Sequence, residues 1–173
     1  NLFMGVDPAS STSNRADYTV IMVLGVDAKG HIYVVHYTRK RMPPAEVLRA
    51  VERVWTSFKF ARGQVETIQA QEYIVSMLRE KGIFLLSRKP RQGKEERLVR
   101  LEPKFAQGQV WTMATHTELK KECLDFPRGK HDDTLDAFDI ALDCSYKPSG
   151  DAVLTDEQKK AKSVRRKYDP MLA

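Results

Sequence analysis

Three acidic positions, widely separated in the chain, are the residues best suited to chemistry. Asp7 closes the apolar run Phe3-Met4-Gly5-Val6 and is followed by Pro8. That run reads as a buried β-strand which the proline ends, because proline donates no ladder hydrogen bond. A carboxylate at the end of a core strand costs free energy unless it is paired or holds a metal, although an aspartate there can equally cap the following turn. Glu66 lies in the short strand Val65-Glu66-Thr67-Ile68, and Asp132 and Asp133 open an amphipathic segment from His131 to Leu142. Acids at a helix N-terminus suit the helix dipole, so each position alone has an ordinary structural explanation. The elements must decide whether they meet.

Those elements can be read from pattern. Tyr18 to Val26 is β-branched and apolar, Asp27-Ala28-Lys29-Gly30 is a turn, and Ile32 to Tyr37 returns, which predicts an antiparallel hairpin beside the first strand. Pro43 and Pro44 precede Val47, Leu48, Val51, Val54, Trp55 and Phe58, the stripe of an amphipathic helix that begins at tolerated prolines. A strand over 65–68, a helix carrying Ile74, Met77 and Leu78 to Gly82, and a strand over 83–86 then predict a right-handed parallel crossover. A basic helix begins near Gly93 and is ended or bent by Pro103. Gln109 to Thr112 forms a short edge strand, and Thr115 with Glu118 has capping-box spacing. In the last helix Leu135, Phe138 and Leu142 face inward, while Asp139 and Asp143 continue on the solvated side with Asp132 and Asp136. Asp17, at the start of the second strand, is read as structural.

The fold class is therefore α/β: a mixed sheet of a three-strand antiparallel meander followed by parallel crossover strands, flanked by helices. Residues 1–147 form the domain and residues 148–173 a polar, basic C-terminal tail, either a short helix or mobile. The chain has 173 residues, 42% of them hydrophobic, enough for one domain with a proper core. No apolar run approaches the roughly 18 residues of a membrane span, and the first residues lack the features of a signal peptide. Beginning without Met is what a domain cut from something longer would show. Cys123 and Cys144 have no CxxC spacing and are expected to be reduced thiols. With the four histidines they make no zinc-type cluster. The formal net charge of +6 suggests a polyanionic partner. The charge concentrates at Arg88, Lys89, Arg91, Lys94, Arg97, Arg100 and Lys104.

Gly5-Val6-Asp7-Pro8-Ala9, Ala16-Asp17-Tyr18-Thr19, Glu66, Lys94-Glu95-Glu96-Arg97 running into Leu101-Glu102-Pro103, Gly108-Gln109-Val110 and His131-Asp132-Asp133-Thr134-Leu135-Asp136-Ala137 occur in an order that resembles the nuclease domain of the large terminase subunit of tailed bacteriophages. That family lies within the ribonuclease H-like, or retroviral integrase, superfamily. The resemblance covers the chain to about residue 146. No Gly-x-x-x-x-Gly-Lys-Ser/Thr run is present, so this stretch would be the nuclease half without its ATPase motor.

The resemblance implies a viral endonuclease for genome packaging that cuts concatemeric double-stranded DNA by hydrolysis of a phosphodiester. Two divalent ions, Mg²⁺ or Mn²⁺, serve such chemistry, and hard oxygen ligands suit them. By resemblance Asp7 bridges the ions, Glu66 holds one and Asp133 the other, with Asp132 and Asp136 as alternatives or additions. Similar Holliday-junction resolvases use two acids at i, i+3, which would enlist Asp136. Arg88, Lys89, Arg91, Lys94, Arg97 and Arg100 are the candidate phosphate track, a class of contact that carries little sequence specificity. The implied partners are the motor half of the same polypeptide, the small terminase subunit and the portal, in the host cytoplasm and away from any membrane. Competing functions are a resolvase or strand transferase of the same fold, and a DNA-binding module without catalysis.

Overall fold

The computed structural model describes residues 1–9, 18–67, 72–90, 93–129, 131–148 and 168–170. Asp17, Arg91 and most of the tail predicted over 148–173 lie outside the described residues. Seven strands form one sheet in the order β5-β4-β1-β2-β3-β6-β7. The meander is β1 (Leu2–Asp7), β2 (Thr19–Val26) and β3 (Ile32–Lys40), each antiparallel to the next. The strand β4 (Phe60–Glu66) lies parallel to β1, and β5 (Leu85–Arg88) lies parallel to β4. On the other edge β6 (Val110–Met113) runs parallel to β3 and is covered by β7 (Tyr168–Pro170). The predicted edge position of the 109–112 strand is thus corrected.

Among the described residues five helices cover the sheet: α1 (Pro44–Ser57), α2 (Glu72–Glu80), α3 (Lys94–Ala106), α4 (Thr117–Asp125) and α5 (Asp133–Asp143). Strand alternation sorts the core into two layers. Met4, Val6, Ile21 and Val23 face α1 and α2, packing with Val47, Val51, Ile74 and Leu78. Phe3, Val20, Met22 and Leu24 face the opposite layer, with Leu101, Phe105, Leu119, Leu135 and Phe138. Gly5 belongs to this second face, and a Cβ there would stand 2.3 Å from Ala137 O and 2.5 Å from Ala141 N. Glycine at that position lets α5 lie directly on β1. Asp7, two residues further along, projects to the same side.

Several boundaries differ from the sequence expectation, each for a tertiary reason. The strand predicted over 83–86 lies at Leu85–Arg88, because β4 pairs it in the register Gly63↔Leu85 to Glu66↔Arg88. Pro103 does not end α3. Leu101 and Phe105, on either side of it, are buried and hold the helix on the core through the missing bond. Thr115 does not cap α4, which starts at Thr117. Glu118 is taken instead by the Tyr37 hydroxyl, which donates to Oε2 at 2.9 Å.

Candidate active site

Parallel pairing brings the first two acids together. The register Val6↔Val65 sets Asp7 and Glu66, one residue on, side by side at the C-terminal ends of adjacent strands. Directly opposed residues share a sheet face, and for this pair it is the face under α5. The third group arrives on α5 itself, whose N-cap is Asp132 and whose first turn carries Asp133 and Asp136. Buried among these charges, the Asp7 carboxyl is pushed well above its ordinary range. Desolvation acts first, then the like charges of Asp136, Glu66 and Asp133, against a smaller pull from Arg97. Asp136 is pushed up to about 7, chiefly by burial, with Asp132, Glu66 and Asp133 adding to it and Arg97 opposing. Five carboxylates, on β1, on β4 and at the start of α5, are thus electrostatically coupled.

Between them stand arginines. Arg88 donates to Glu66 Oε2 from Nε at 3.3 Å and Nη2 at 2.9 Å. Its Nη1 donates to Asp139 Oδ2 at 3.0 Å. Arg97, from α3, donates to Asp132 Oδ2 at 3.2 Å and pairs closely with Asp136. Arg39, on β3, bridges Asp133 Oδ2 at 3.3 Å and Glu122 Oε1 at 3.5 Å. Among the described residues no three His, Cys, Asp or Glu side chains already converge as a metal-binding group. The donor set nevertheless fits a hard divalent cation. It is all carboxylate oxygen, and its mutual repulsion makes a counter-cation favourable.

A model of the Terminase RNaseH-like domain matches residues 4–144. The chain belongs to that family. Its fold is similar to the large terminase nuclease from thermophilic phage G20c, with a TM-score of 0.63 at 18% identity, covering 84% of this chain and 82% of that one. The large terminase of another thermophilic bacteriophage gives 0.61 at 14% identity over 82% of this chain. This chain spans only 38% of that second protein's length. Fowlpox virus resolvase, solved with a Holliday junction, gives 0.50 at 14% identity, covering 82% and 96%. No curated protein matches the sequence. Among the described residues no helix is long and apolar enough to cross a membrane.

The terminase domain places the candidate phosphate track less uniformly than the sequence suggests. Lys89 is exposed. Arg88 is 9% exposed and sits inside the acidic cluster rather than on its rim. Arg97 and Arg100 are half-buried, each turned onto carboxylates of α5; Arg100 pairs with Asp139 and with Asp143. The Lys94 backbone opens α3, while its side chain lies outside the description. Asp139 is the clear correction: expected in solvent, it is 1% exposed and ion-paired. The signal was available, since Asp139 is spaced i+4 from Leu135 and i−3 from Leu142, both on the inward face.

Two residues carried no usable signal. Arg39, near the end of β3, stacks its guanidinium 3.5 Å over the Tyr18 ring while bridging Asp133 and Glu122. Glu122, in α4, accepts from Thr134 N at 2.8 Å, Leu135 N at 3.2 Å and Thr134 Oγ1 at 3.1 Å. It thereby satisfies the free amides of the first turn of α5, where Asp132 makes no capping bond. Helix α5 is held in place by a neighbouring helix.

The raised acids fix the sign of a pH effect. Asp7 and Asp136 bind protons more tightly folded than at their ordinary value of 3.8. Through these two groups the folded state holds more protons between about pH 4 and 7, and their contribution to stability is lost as pH rises through that window. The imidazoles of His36 and His116, lowered by burial, act the other way, so the test is a difference: in EDTA, Asp136→Asn should gain melting temperature relative to the parent between pH 5 and pH 8. A variant whose melting temperature follows the parent's across this range would contradict the burial of Asp136.

Proposed function

We propose that this terminase domain is a metal-dependent DNA endonuclease that cuts concatemeric double-stranded viral DNA with little sequence specificity during genome packaging. The electrostatic coupling of Asp7, Glu66, Asp133 and Asp136 at the ends of β1, β4 and the start of α5 supports this most. In the full-length protein it would work beside an ATPase motor, with the small terminase subunit and the portal as partners, in the host cytoplasm. Asp7, at the centre, would bridge two cation positions, with Glu66 on one side and Asp133, helped by Asp136 or Asp132, on the other. Bound Mg²⁺ or Mn²⁺ would supply an activated water and charge to stabilise the leaving oxygen.

The chain's own residues do the rest. Burial keeps the carboxylates at low local polarity and so strengthens their grip on a cation. Arg97, on α3, would be released from Asp132 and Asp136 once cations neutralise those acids and could then meet DNA phosphates, as exposed Lys89 could, while Arg100 stays paired with Asp139 and Asp143. Contacts of that kind bind the backbone and read no bases.

Incubating supercoiled plasmid with the domain and Mn²⁺ should give nicked and linear products, and EDTA should abolish both. Uncut plasmid across a range of Mn²⁺ and Mg²⁺ concentrations would count against the proposal. A junction resolvase is the second reading, favoured by the i, i+3 spacing of Asp133 and Asp136. Marked preference for a four-way junction over linear duplex would select it.

A further inference from the structure

We infer that Asp139, acting through Arg88, is a positioning residue for Glu66. The inference rests on the nuclease reading above and adds to it a group outside the acids named there. Asp139 lies on α5, one turn beyond Asp136, and is 1% exposed. Its Oδ2 accepts from Arg88 Nη1 at 3.0 Å. The same guanidinium presents its other edge, Nε and Nη2, to Glu66 Oε2 at 3.3 and 2.9 Å. Arg88 is thus a planar bridge between a helix and two parallel strands, a task suited to its rigid fork of donors.

The bridge has two consequences for Glu66. Both bonds go to Oε2, while Oε1 accepts none among the described residues, so the carboxylate is anchored by one oxygen with the other left for a ligand. The strand also cannot drift from α5, because Glu66↔Arg88 is a register pair of β4 and β5 and Arg88 is tied to the helix. Asp143, 3.8 Å from Arg88 Nη1, and Arg100, paired with both Asp139 and Asp143, complete the charge balance. A buried guanidinium needs that balance. Without Asp139, only the more distant Asp143 holds Arg88 from the helix side, and the guanidinium is drawn further onto Glu66, where it competes with a cation for the carboxylate.

The test is calorimetry with MnCl₂ on the parent domain, Asp139→Asn and Arg88→Lys, each checked for a cooperative thermal melt. Asp139→Asn keeps the shape and removes the charge. Arg88→Lys keeps the charge but cannot serve both acids with one ammonium. Each is expected to weaken Mn²⁺ binding by about tenfold or more, the usual cost of losing an outer partner of a metal ligand. Plasmid cutting should then need correspondingly more Mn²⁺ and recover part of its rate at high Mn²⁺. If Asp139→Asn fails to fold, Arg88→Lys carries the test. Either folded variant binding Mn²⁺ as the parent does, even with a lower melting temperature, would overturn the inference and leave a merely structural bridge. A parent domain that binds no Mn²⁺ and cuts nothing would instead sink the nuclease reading, and this inference with it.

Discussion

Asp7→Asn should slow plasmid cleavage by about a thousandfold or more while raising the melting temperature of the metal-free domain above pH 7. The two effects have one cause. Asp7 sits where a charge is expensive, pressed by desolvation and by Asp136, Glu66 and Asp133, so removing its charge relieves the fold. On the proposed nuclease reading the same crowding would give a cation its binding energy. A bound metal ion supplies several kcal/mol of transition-state stabilisation, and each ~1.4 kcal/mol is a factor of ten in rate. Initial rates at saturating Mn²⁺ and melts in EDTA at pH 8 measure the two halves. A variant that cuts like the parent would remove Asp7 from the chemistry. Lost cleavage together with lost stability would make it a structural residue.

The second large effect is expected at Gly5, which carries no chemistry. Gly5→Ala adds a methyl that would meet backbone atoms of Ala137 and Ala141 at 2.3 and 2.5 Å, closer than any van der Waals contact. Neither atom belongs to a side chain that could swing away, so α5 must lift from β1. Overpacking in a core typically costs about 1–3 kcal/mol. This case should reach or exceed the upper end, a large part of the ~5–15 kcal/mol that holds a domain together. Lifting α5 also withdraws Asp133 and Asp136 from Asp7. Urea denaturation of Gly5→Ala should therefore show a much lower midpoint or no cooperative transition, and any folded fraction should bind Mn²⁺ weakly. Parent-like stability would mean that α5 does not lie on β1 as described.

Asp7 and Asp133 could be read from the sequence because one ends and the other begins an element whose hydrophobic pattern is strong: Asp7 follows the buried run of β1, and Asp133 precedes Leu135 and Phe138 on α5. Glu66, expected inside a strand over 65–68, instead closes β4, whose first residues, Phe60-Ala61-Arg62-Gly63-Gln64, alternate too little to mark it. The meeting of the three required only the parallel pairing of β1 and β4 and a helix over them. The arginines were less legible. A sequence shows that Arg88, Arg97 and Arg100 are cationic, but whether they face phosphate or carboxylate depends on contacts between β5, α3 and α5 that no local pattern encodes. Arg39 and Glu122 were invisible for the same reason: the bridge spans β3, α4 and α5. Pro103 misled in a simpler way, since the propensity rule was overruled by burial of its neighbours Leu101 and Phe105. Asp139 could have been placed correctly from its helical spacing with Leu135 and Leu142, had its charge not been taken as a sign of exposure.

Crystals of the domain soaked in Mn²⁺ and measured at the manganese absorption edge should show anomalous density in contact with Asp7, shared with Glu66 and with Asp133 or Asp136, and Arg97 swung away from α5. If saturating Mn²⁺ leaves those carboxylates without density and Arg97 still paired with Asp132 and Asp136, they do not form a cation site.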